Sequence, residues 1–575
     1  MKKTGAWLVV KALEQLPISH TFGVPGVHNT EIYDELNKSE KIKPILVTHE
    51  GGGAFMADAI SRTSDSIGTL VIVPAAGVTH ALSGIGEAFL DGIPMLIISG
   101  GIRTDVKKSY QLHEWDMHSV LSGITKKTYK LTKHEDIMSS VFEAYNIATS
   151  GCPGPVFIEI PTNVQLFKGE VSEILTYKKQ DNTPTVLASQ IDEAIRIISG
   201  SKKVGLFLGW GAKEATATSI QIAERLNAPV STTLQGYSVF PGDHELFTGM
   251  GFGPASVPAS ENAFKDIDCL IAVGTRFAEI PTGSYGATVP ENLIHIDIDK
   301  NVFDKNYKSK LAIEGDAKQV LESLLTELKN KNITKNNSNL ISSIAKDKQA
   351  YYKEWSDYKF DRVNPYLFFK SLRSHLDDDA ITVVDDGNHT FLTVELFQNL
   401  KSKHLISPTD FNCMGYCVPA AIGAKFANPN KQVIGIVGDG AFLMTGLELL
   451  TAKRNNLGIV IFVFHDGELS QISQGQEIPY NRKTSTVLGD FNIDGIAHAV
   501  GAEYLLIEND AQTDQIISTA LKSAQSNKTV LVDIHIDYKK RTRFTKGVVK
   551  TILGNFPLKD KVRFIGRAMT RKILG

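Results

Sequence analysis

Short continuous apolar runs, each closed by a glycine-bearing turn and followed by a stretch with helical spacing, recur along the chain. In the first 170 residues they fall at 45–47, 69–73 and 95–98, and PGPVFIEIPTNV (153–164) reads as the closing strand of that unit. Runs that are apolar on both faces suit strands of a parallel sheet covered by helices on each side. The polar stretch 177–185 reads as a linker. A second unit over about 186–330 places strands at 204–208, leading into GWGAKEA, at 269–273, leading into GTRF, and at 293–298. The polar run LKNKNITKNNSN (328–339) separates it from a third unit. That unit starts near Asn364-Pro365 and has strands at 381–384, 433–437, 459–464 and 530–536. Strands alternating with helices imply crossover connections. The pattern therefore predicts an α/β chain of three doubly wound parallel-sheet domains (1–175, 186–330 and 360–537) followed by a basic C-terminal helical tail (538–575).

Composition narrows the class. A chain of 575 residues with 42% apolar positions suits a folded globular protein and argues against disorder or a collagen-like fibre. Four cysteines with no C-x-x-C pair make a zinc ribbon improbable and predict a reducing, cytoplasmic setting. The first apolar run is broken by Lys11 and Glu14, so it reads as a helix rather than a signal peptide. No uncharged apolar stretch reaches 18 residues, so no spanning helix is expected.

The net charge of −2 hides an asymmetry. Residues 539–575 carry 12 Lys and Arg against one acid, Asp560, leaving 49 basic and 62 acidic residues in the body. Within 559–574, Val562, Ile565, Met569 and Ile573 make one helical stripe, and Arg563, Arg567 and Arg571 another nearly opposite it. A basic amphipathic helix can lie on an anionic membrane, giving peripheral contact with the inner face. It can equally pack on the acidic body or cover a neighbouring active site. The acidic body speaks against nucleic-acid binding.

The clearest chemistry lies where the strand at 433–437 stops at Gly438-Asp439-Gly440, and the next strand stops at His465-Asp466-Gly467-Glu468. A right-handed crossover puts both strand ends at one sheet edge, where doubly wound sheets bind ligands. Asp439 and Asp466 can approach each other there, glycines let the backbone near a diphosphate, and a helix N-terminus favours anions. An all-oxygen donor set suits Mg²⁺. A tight turn with two solvated aspartates would produce the same triplet.

Several segments in order carry a resemblance: HTFGVPGVHN (20–29), THEGGGAFMADAISR (48–62), GIGEAFLDGIPMLIISG (84–100), PGPVFIEIPTNVQ (153–165), VFPGDHELFTGM (239–250), LIHIDID (293–299), MGYCVPAAIGAKFANP (414–429) and VGDGAFLMTGLEL (437–449). Over roughly 4–537 the chain resembles the thiamine-diphosphate (ThDP) enzymes of the acetolactate synthase, pyruvate oxidase and pyruvate decarboxylase superfamily. The resemblance implies a pyrimidine-binding, a central and a diphosphate-binding domain. It implies ThDP and Mg²⁺ as cofactors, and a homodimer or homotetramer with active sites between subunits.

Carried over by position, Asp439 resembles the first Mg²⁺ ligand, and Asp466 stands where most members have Asn and some catabolic acetolactate synthases have Asp. The backbone carbonyl of Glu468 completes the metal set. Gly438, Gly440 and Ala441 fall in the diphosphate motif, and Pro25 in the pyrimidine-side turn. Met414 matches the apolar wedge that bends the cofactor, and the carbonyl of Asn412 the acceptor for its exocyclic amine. Glu50 matches the activating acid, which bonds the pyrimidine ring so that the aminopyrimidine can form the ylide. Flanked by Gly51–Gly53 and Ala54, it can be partly desolvated and share a proton. Read alone, it could simply be a Glu opening a helix.

Departures from the pattern point toward substrate. Val27 stands where aldehyde-releasing decarboxylases have Asp, and Tyr110-Gln111-Leu112-His113 lacks their His pair. Gln111 resembles the glutamine of acetolactate synthases and is a candidate active-site group, unless it is a surface loop residue. Without acids to protonate it, the enamine left by decarboxylation survives to attack an acceptor carbonyl, which favours carboligation. Ile280, Tyr237 and Gly475 replace residues that contact flavin or the second keto acid in biosynthetic relatives, so FAD or another nucleotide in the central domain is left open. The expectation is therefore an acetolactate synthase-like transferase or lyase acting on a small 2-keto acid. The alternatives are a 2-hydroxyacyl lyase, an FAD-linked pyruvate oxidase-like enzyme, or a non-catalytic ThDP-binding relative. His80, where many relatives have Asn, is expected to be a packing residue.

Overall fold

A computed structural model describes residues 1–180 and 184–574; the linker at 177–185 thus falls partly outside the described residues. The first sheet holds β1 (His20–Gly23), β2 (Lys43–Leu46), β3 (Gly68–Ile72), β4 (Met95–Gly101), β5 (Lys127–Lys130) and β6 (Pro155–Pro161), in the order β2-β1-β3-β4-β6-β5. The second holds β7 (Val204–Leu208), β8 (Val230–Thr232), β9 (Phe247–Met250), β10 (Cys269–Val273), β11 (Asn292–Asp297) and β12 (Leu311–Glu314), in the order β9-β8-β7-β10-β11-β12. The third holds β13 (Ile381–Val384), β14 (Leu405–Ile406), β15 (Val433–Gly438), β16 (Ile459–His465), β17 (Glu503–Ile507) and β18 (Thr529–His535), in the order β14-β13-β15-β16-β18-β17. Every pairing within these sheets is parallel. The three-domain α/β architecture is as the apolar runs predict. The first and third sheets share one topology. The second has the dinucleotide-fold order, reversing between β7 and β10.

The helices that matter for the site are α1 (Glu50–Thr63), α2 (Ala76–Leu90), α3 (Cys417–Ala427), α4 (Asp439–Thr445), α5 (Ser470–Tyr480), α6 (Ile493–Val500), α7 (Arg543–Asn555) and α8 (Leu558–Leu574). The first and third domains pack through α1 and α3. Small residues bring the two backbones together: a Cβ on Gly423 would lie 2.3 Å from the Met56 carbonyl oxygen.

Beside this seam Arg62 is buried and donates to Asp58 (2.6 Å) and Asp91 (2.9 Å). Tyr416 Oη donates to Asp58 (2.6 Å), and Thr409 Oγ1 to Asp91 (2.5 Å). Glu87 accepts from the Thr409 and Cys413 N–H groups at 3.1 and 3.0 Å, and burial pushes its carboxyl up to about 9. The segment 407–417 of the third domain is thus gripped by acids of the first.

Differences from the pattern are local. The closing run at 153–164 ends as a strand at Pro161, where a short helix, Thr162–Leu166, begins. The N-terminal helix is preceded by a strand, Lys2–Thr4, paired antiparallel with Lys168–Glu170. The tail is two helices. Phe544 of α7 stacks on Phe391 (4.0 Å between centroids), and the Arg543 and Phe544 N–H groups donate to buried Glu395. A Cβ on Gly547 would meet Ala255 Cα at 2.3 Å. α8, by contrast, has no buried position among its described residues and is held to α5 by Arg571, which donates to the Pro479 carbonyl (2.9 Å) and lies over the Tyr480 ring (5.0 Å).

Candidate functional site

The apolar strand β15 delivers Gly438 to the sheet edge, and Asp439 opens α4. Asp439 is buried, and burial raises its carboxyl above the usual range. Its Oδ1 accepts from Gly440 N (2.8 Å), and its Oδ2 from Asp466 N (3.1 Å) and Gly467 N (2.6 Å). The two strand ends are therefore drawn together as the crossover argument required. Burial, followed by the neighbouring Asp439 and Glu468 carboxylates, pushes Asp466 up to about 7 against the opposing bond from Ser470. The side chain of Glu468 is engaged elsewhere, by Lys483 (2.7 and 2.8 Å) and Ser473 (2.5 Å).

The glycines here have a steric reason. A Cβ on Gly440 would come within 2.4 Å of Leu469 Cδ2, and one on Gly438 within 3.1 Å of His389 Cε1. Ala441 is buried in the core beneath. Two clustered carboxylates, nearby carbonyls and a narrow glycine-lined helix start form an oxygen donor set that fits a small hard cation and a diphosphate.

A second turn, which the motif reading passed over, faces this one. The third sheet reverses direction between β13 and β15, so Asp385-Asp386-Gly387-Asn388-His389 after β13 and Gly438-Asp439-Gly440 after β15 flank the switch point, where such sheets bind ligands. Burial pushes Asp385 up to about 7; it accepts from Gly415 N (2.9 Å) and Cys417 N (2.7 Å), fixing the turn that carries Met414. Asn412 in that turn adopts φ 62°, and Met414 is half-buried against the core. Burial pushes His389 down to about 3, which keeps it neutral. The signal was present in the sequence: an apolar strand running straight into D-D-G.

On the first domain, Glu50 is the first residue of α1 and 7% exposed. His49 caps the helix, its Nδ1 accepting from Gly51 N (3.1 Å). His80, expected to be packing, instead stands half-exposed with Nδ1 3.0 Å from Glu50 Oε2 and its ring stacked on His49 at 4.5 Å. A Cβ on Gly77 would lie 3.2 Å from Glu50 Oε1, so that glycine keeps the carboxyl accessible. Pro25 sits exposed in the turn after β1, which Asn29 closes by accepting from Gly26 N (2.7 Å). Gln111 lies in a surface loop, where its Nε2 donates to the Arg103 (3.0 Å) and Lys108 (3.4 Å) carbonyls. Among the described residues no hydrogen bond joins Glu50 or Gln111 to the Asp439 cluster of the same chain.

The central sheet contributes a cavity of about 900 Å³ at its own switch point, lined among others by Trp210, Lys213, Arg276 and Asp297. The turns after β7 and β10 touch there: a Cβ on Gly209 would lie 2.0 Å from the Gly274 carbonyl oxygen. Burial pushes Asp297, at the end of β11, up to about 6, and lowers Lys213.

Comparison with known proteins agrees with this layout. Three family descriptions match in order: "Thiamine pyrophosphate enzyme, N-terminal TPP binding domain" over 3–120, "central domain" over 191–324 and "C-terminal TPP binding domain" over 385–534. The chain is 32% identical to the probable acetolactate synthase large subunit of Methanocaldococcus jannaschii over 561 residues, covering 93% of this chain and 92% of the relative. It is 31% identical to the acetolactate synthase large subunit of Lactococcus lactis, with the same coverage. Against that of Buchnera aphidicola from Schizaphis graminum it is 29% identical, covering 93% and 95%. Three matched domains and near full-length similarity place the chain among the thiamine pyrophosphate-dependent enzymes, in the acetolactate synthase-like family.

Proposed function

We propose that the chain is a ThDP- and Mg²⁺-dependent carboligase that decarboxylates a small 2-keto acid and joins the retained fragment to an acceptor carbonyl. The observation that carries this reading is the Asp439 cradle at the switch point of the third sheet, paired with a buried glutamate at a helix start of the first. In it Asp439, Asp466 and the carbonyl of Glu468 hold the metal. Gly438, Gly440 and Ala441 leave room for the diphosphate, and Pro25, Asn412 and Met414 contact the cofactor's ring portions. Bound there, the cofactor supplies the carbon nucleophile. Glu50 holds and returns a proton, with His80 orienting its carboxyl, and Gln111 offers a polar contact to substrate. Val27 puts an apolar side chain on the same turn as Pro25, which supports ligation over aldehyde release. Incubation with pyruvate, glyoxylate and longer 2-keto acids, with product identification by mass spectrometry, tests this. Aldehyde as the sole product would sink it.

Asp466→Asn should be mild, within about tenfold in Mg²⁺-dependent cofactor affinity, because the amide keeps an oxygen of the same reach. Loss of binding in that variant, measured by calorimetry, would remove Asp466 from the metal shell.

The domains divide at 1–175, 186–330 and 360–537 in this reading. The working unit is a homodimer or homotetramer in the cytoplasm, with the first domain of one protomer completing the third domain of another. Exposed Leu443, Met444 and Leu447 beside the GDG turn support it, since they offer an apolar surface at the site for a second copy to cover. The central cavity supports a nucleotide, and FAD there would favour an oxidase. Bleaching of a bound flavin's absorption band by the 2-keto acid without oxygen would favour the oxidase, and a band that stays unchanged while the ligated product forms would favour the carboligase.

The tail is read as a peripheral membrane contact. Val562, Ile565, Met569 and Ile573 are between 49% and 81% exposed on a basic helix. Full-length protein should sediment with anionic liposomes at low salt and release as salt rises, because each basic residue contributes only about 1 kcal/mol and is screened. Deletion of 556–575, which spares the docked α7, should remain in the supernatant. Full-length protein that ignores the liposomes would make α8 a contact within the assembly.

A further inference from the structure

Beside the oxygen-lined cradle, the third sheet gathers a different set of donors. In the parallel pair β16 and β18, His465 stands opposite His535 in register. Asp533, two residues before His535, points to the same face because strand side chains alternate. Each of the three offers one ligand atom, and these atoms all lie within 4.8 Å of one another. His465 Nδ1 is 3.1 Å from Asp533 Oδ1, and the two imidazole rings are 5.6 Å apart and inclined at 82°. Tyr504, on β17, donates to Asp533 Oδ2 (3.2 Å), which leaves Oδ1 turned toward the histidines. Phe491 lies against the His465 ring at 5.3 Å, and Asp533 is buried.

We propose that His465, Asp533 and His535 form a second metal site, for Zn²⁺ or a similar borderline divalent ion. Ligands held about 2.0–2.2 Å from a tetrahedral zinc lie roughly 3.4 Å from one another; the His465–Asp533 pair, at 3.1 Å, would exchange its hydrogen bond for the ion, and the wider separations, all within 4.8 Å, would close onto it. Two imidazoles and one carboxylate favour zinc-like ions, whereas the Asp439 and Asp466 set offers oxygen alone and favours Mg²⁺. The chain would thereby sort two metals between neighbouring places on one sheet. Tyr504 serves as the outer partner that fixes the carboxylate. Three protein ligands leave a fourth position for water. The consequence is mechanical: the ion ties the end of β16 to β18, and β16 leads directly into Asp466.

The test uses the full-length protein saturated with ThDP in excess Mg²⁺, stripped of other metals by a chelator. Zinc is then added in equilibrium dialysis with elemental analysis. One Zn²⁺ per chain is expected. His465→Ala and His535→Ala should each lose it, while Asp466→Asn should retain it. Tyr504→Phe should weaken it about 10–100-fold, the usual cost of losing an outer-shell partner. That variant keeps the ring and removes one hydroxyl, which guards against misfolding as the explanation. Co²⁺ in place of Zn²⁺ adds a visible absorption band that reports imidazole ligation. The absence of stoichiometric zinc in the unmodified protein would overturn the proposal. So would its retention in the histidine variants, or its loss in Asp466→Asn.

Discussion

Alanine at position 439 is expected to abolish Mg²⁺-dependent ThDP binding. Asp439 is the hub of the cradle: one carboxylate receives the N–H groups of Gly440, Asp466 and Gly467, and so fixes both strand ends. Truncation removes the proposed metal donor and leaves three backbone donors without their partner, at about 1–3 kcal/mol for each that stays buried. The loop that presents Asp466 and the Glu468 carbonyl is then free to move. Calorimetric titration of ThDP with and without Mg²⁺ reads the effect directly. Affinity within tenfold of the unmodified protein would mean that the metal is held elsewhere.

Glu50→Gln is expected to leave cofactor affinity nearly unchanged and to slow the proton-transfer step by about 10²–10⁴-fold. The amide has the carboxyl's shape, so the helix start, the His49 cap and the Gly77 contact all survive. What is lost is a group that can give and take a proton beside His80. Hydrogen–deuterium exchange at C2 of the bound cofactor, followed by NMR, isolates this step from later chemistry. Near-normal exchange would remove Glu50 from the reaction and leave it a structural helix residue.

Legibility followed the physics of each element. Strands buried on both faces are continuous apolar runs, so 204–208, 269–273 and 381–384 were readable to the residue. The meeting of Asp439 with the 466–467 turn was readable because crossover handedness fixes which strand ends are neighbours. The partnership of His80 with Glu50 was not, since two helices thirty residues apart meet only through tertiary packing. Nor was the docking of Phe544 on Phe391. Residues 538–575 look uniformly basic, and nothing local distinguishes the helix that is anchored from the one on the surface. The Asp385–His389 turn is hidden for a different reason: its D-D-G lacks the leading glycine of G-D-G, although its place after an apolar strand is equivalent.

The grip of the first domain on segment 407–417 bears on how this architecture can be inherited. Arg62, Asp58, Glu87 and Asp91 are buried against a stretch more than three hundred residues away in the chain, and that stretch carries Asn412 and Met414. Separating the partners leaves buried carboxyls and backbone N–H groups without their hydrogen bonds, at about 1–3 kcal/mol for each group that stays buried. The two outer domains therefore form a single hereditary unit. A chimera that borrows only one of them from a relative carries mismatched acids into the seam and disturbs the turn bearing Met414, and the central domain is tied to the same seam, because its Arg276 pairs with Asp410 and its Gln235 donates to the Asp91 carbonyl (2.7 Å).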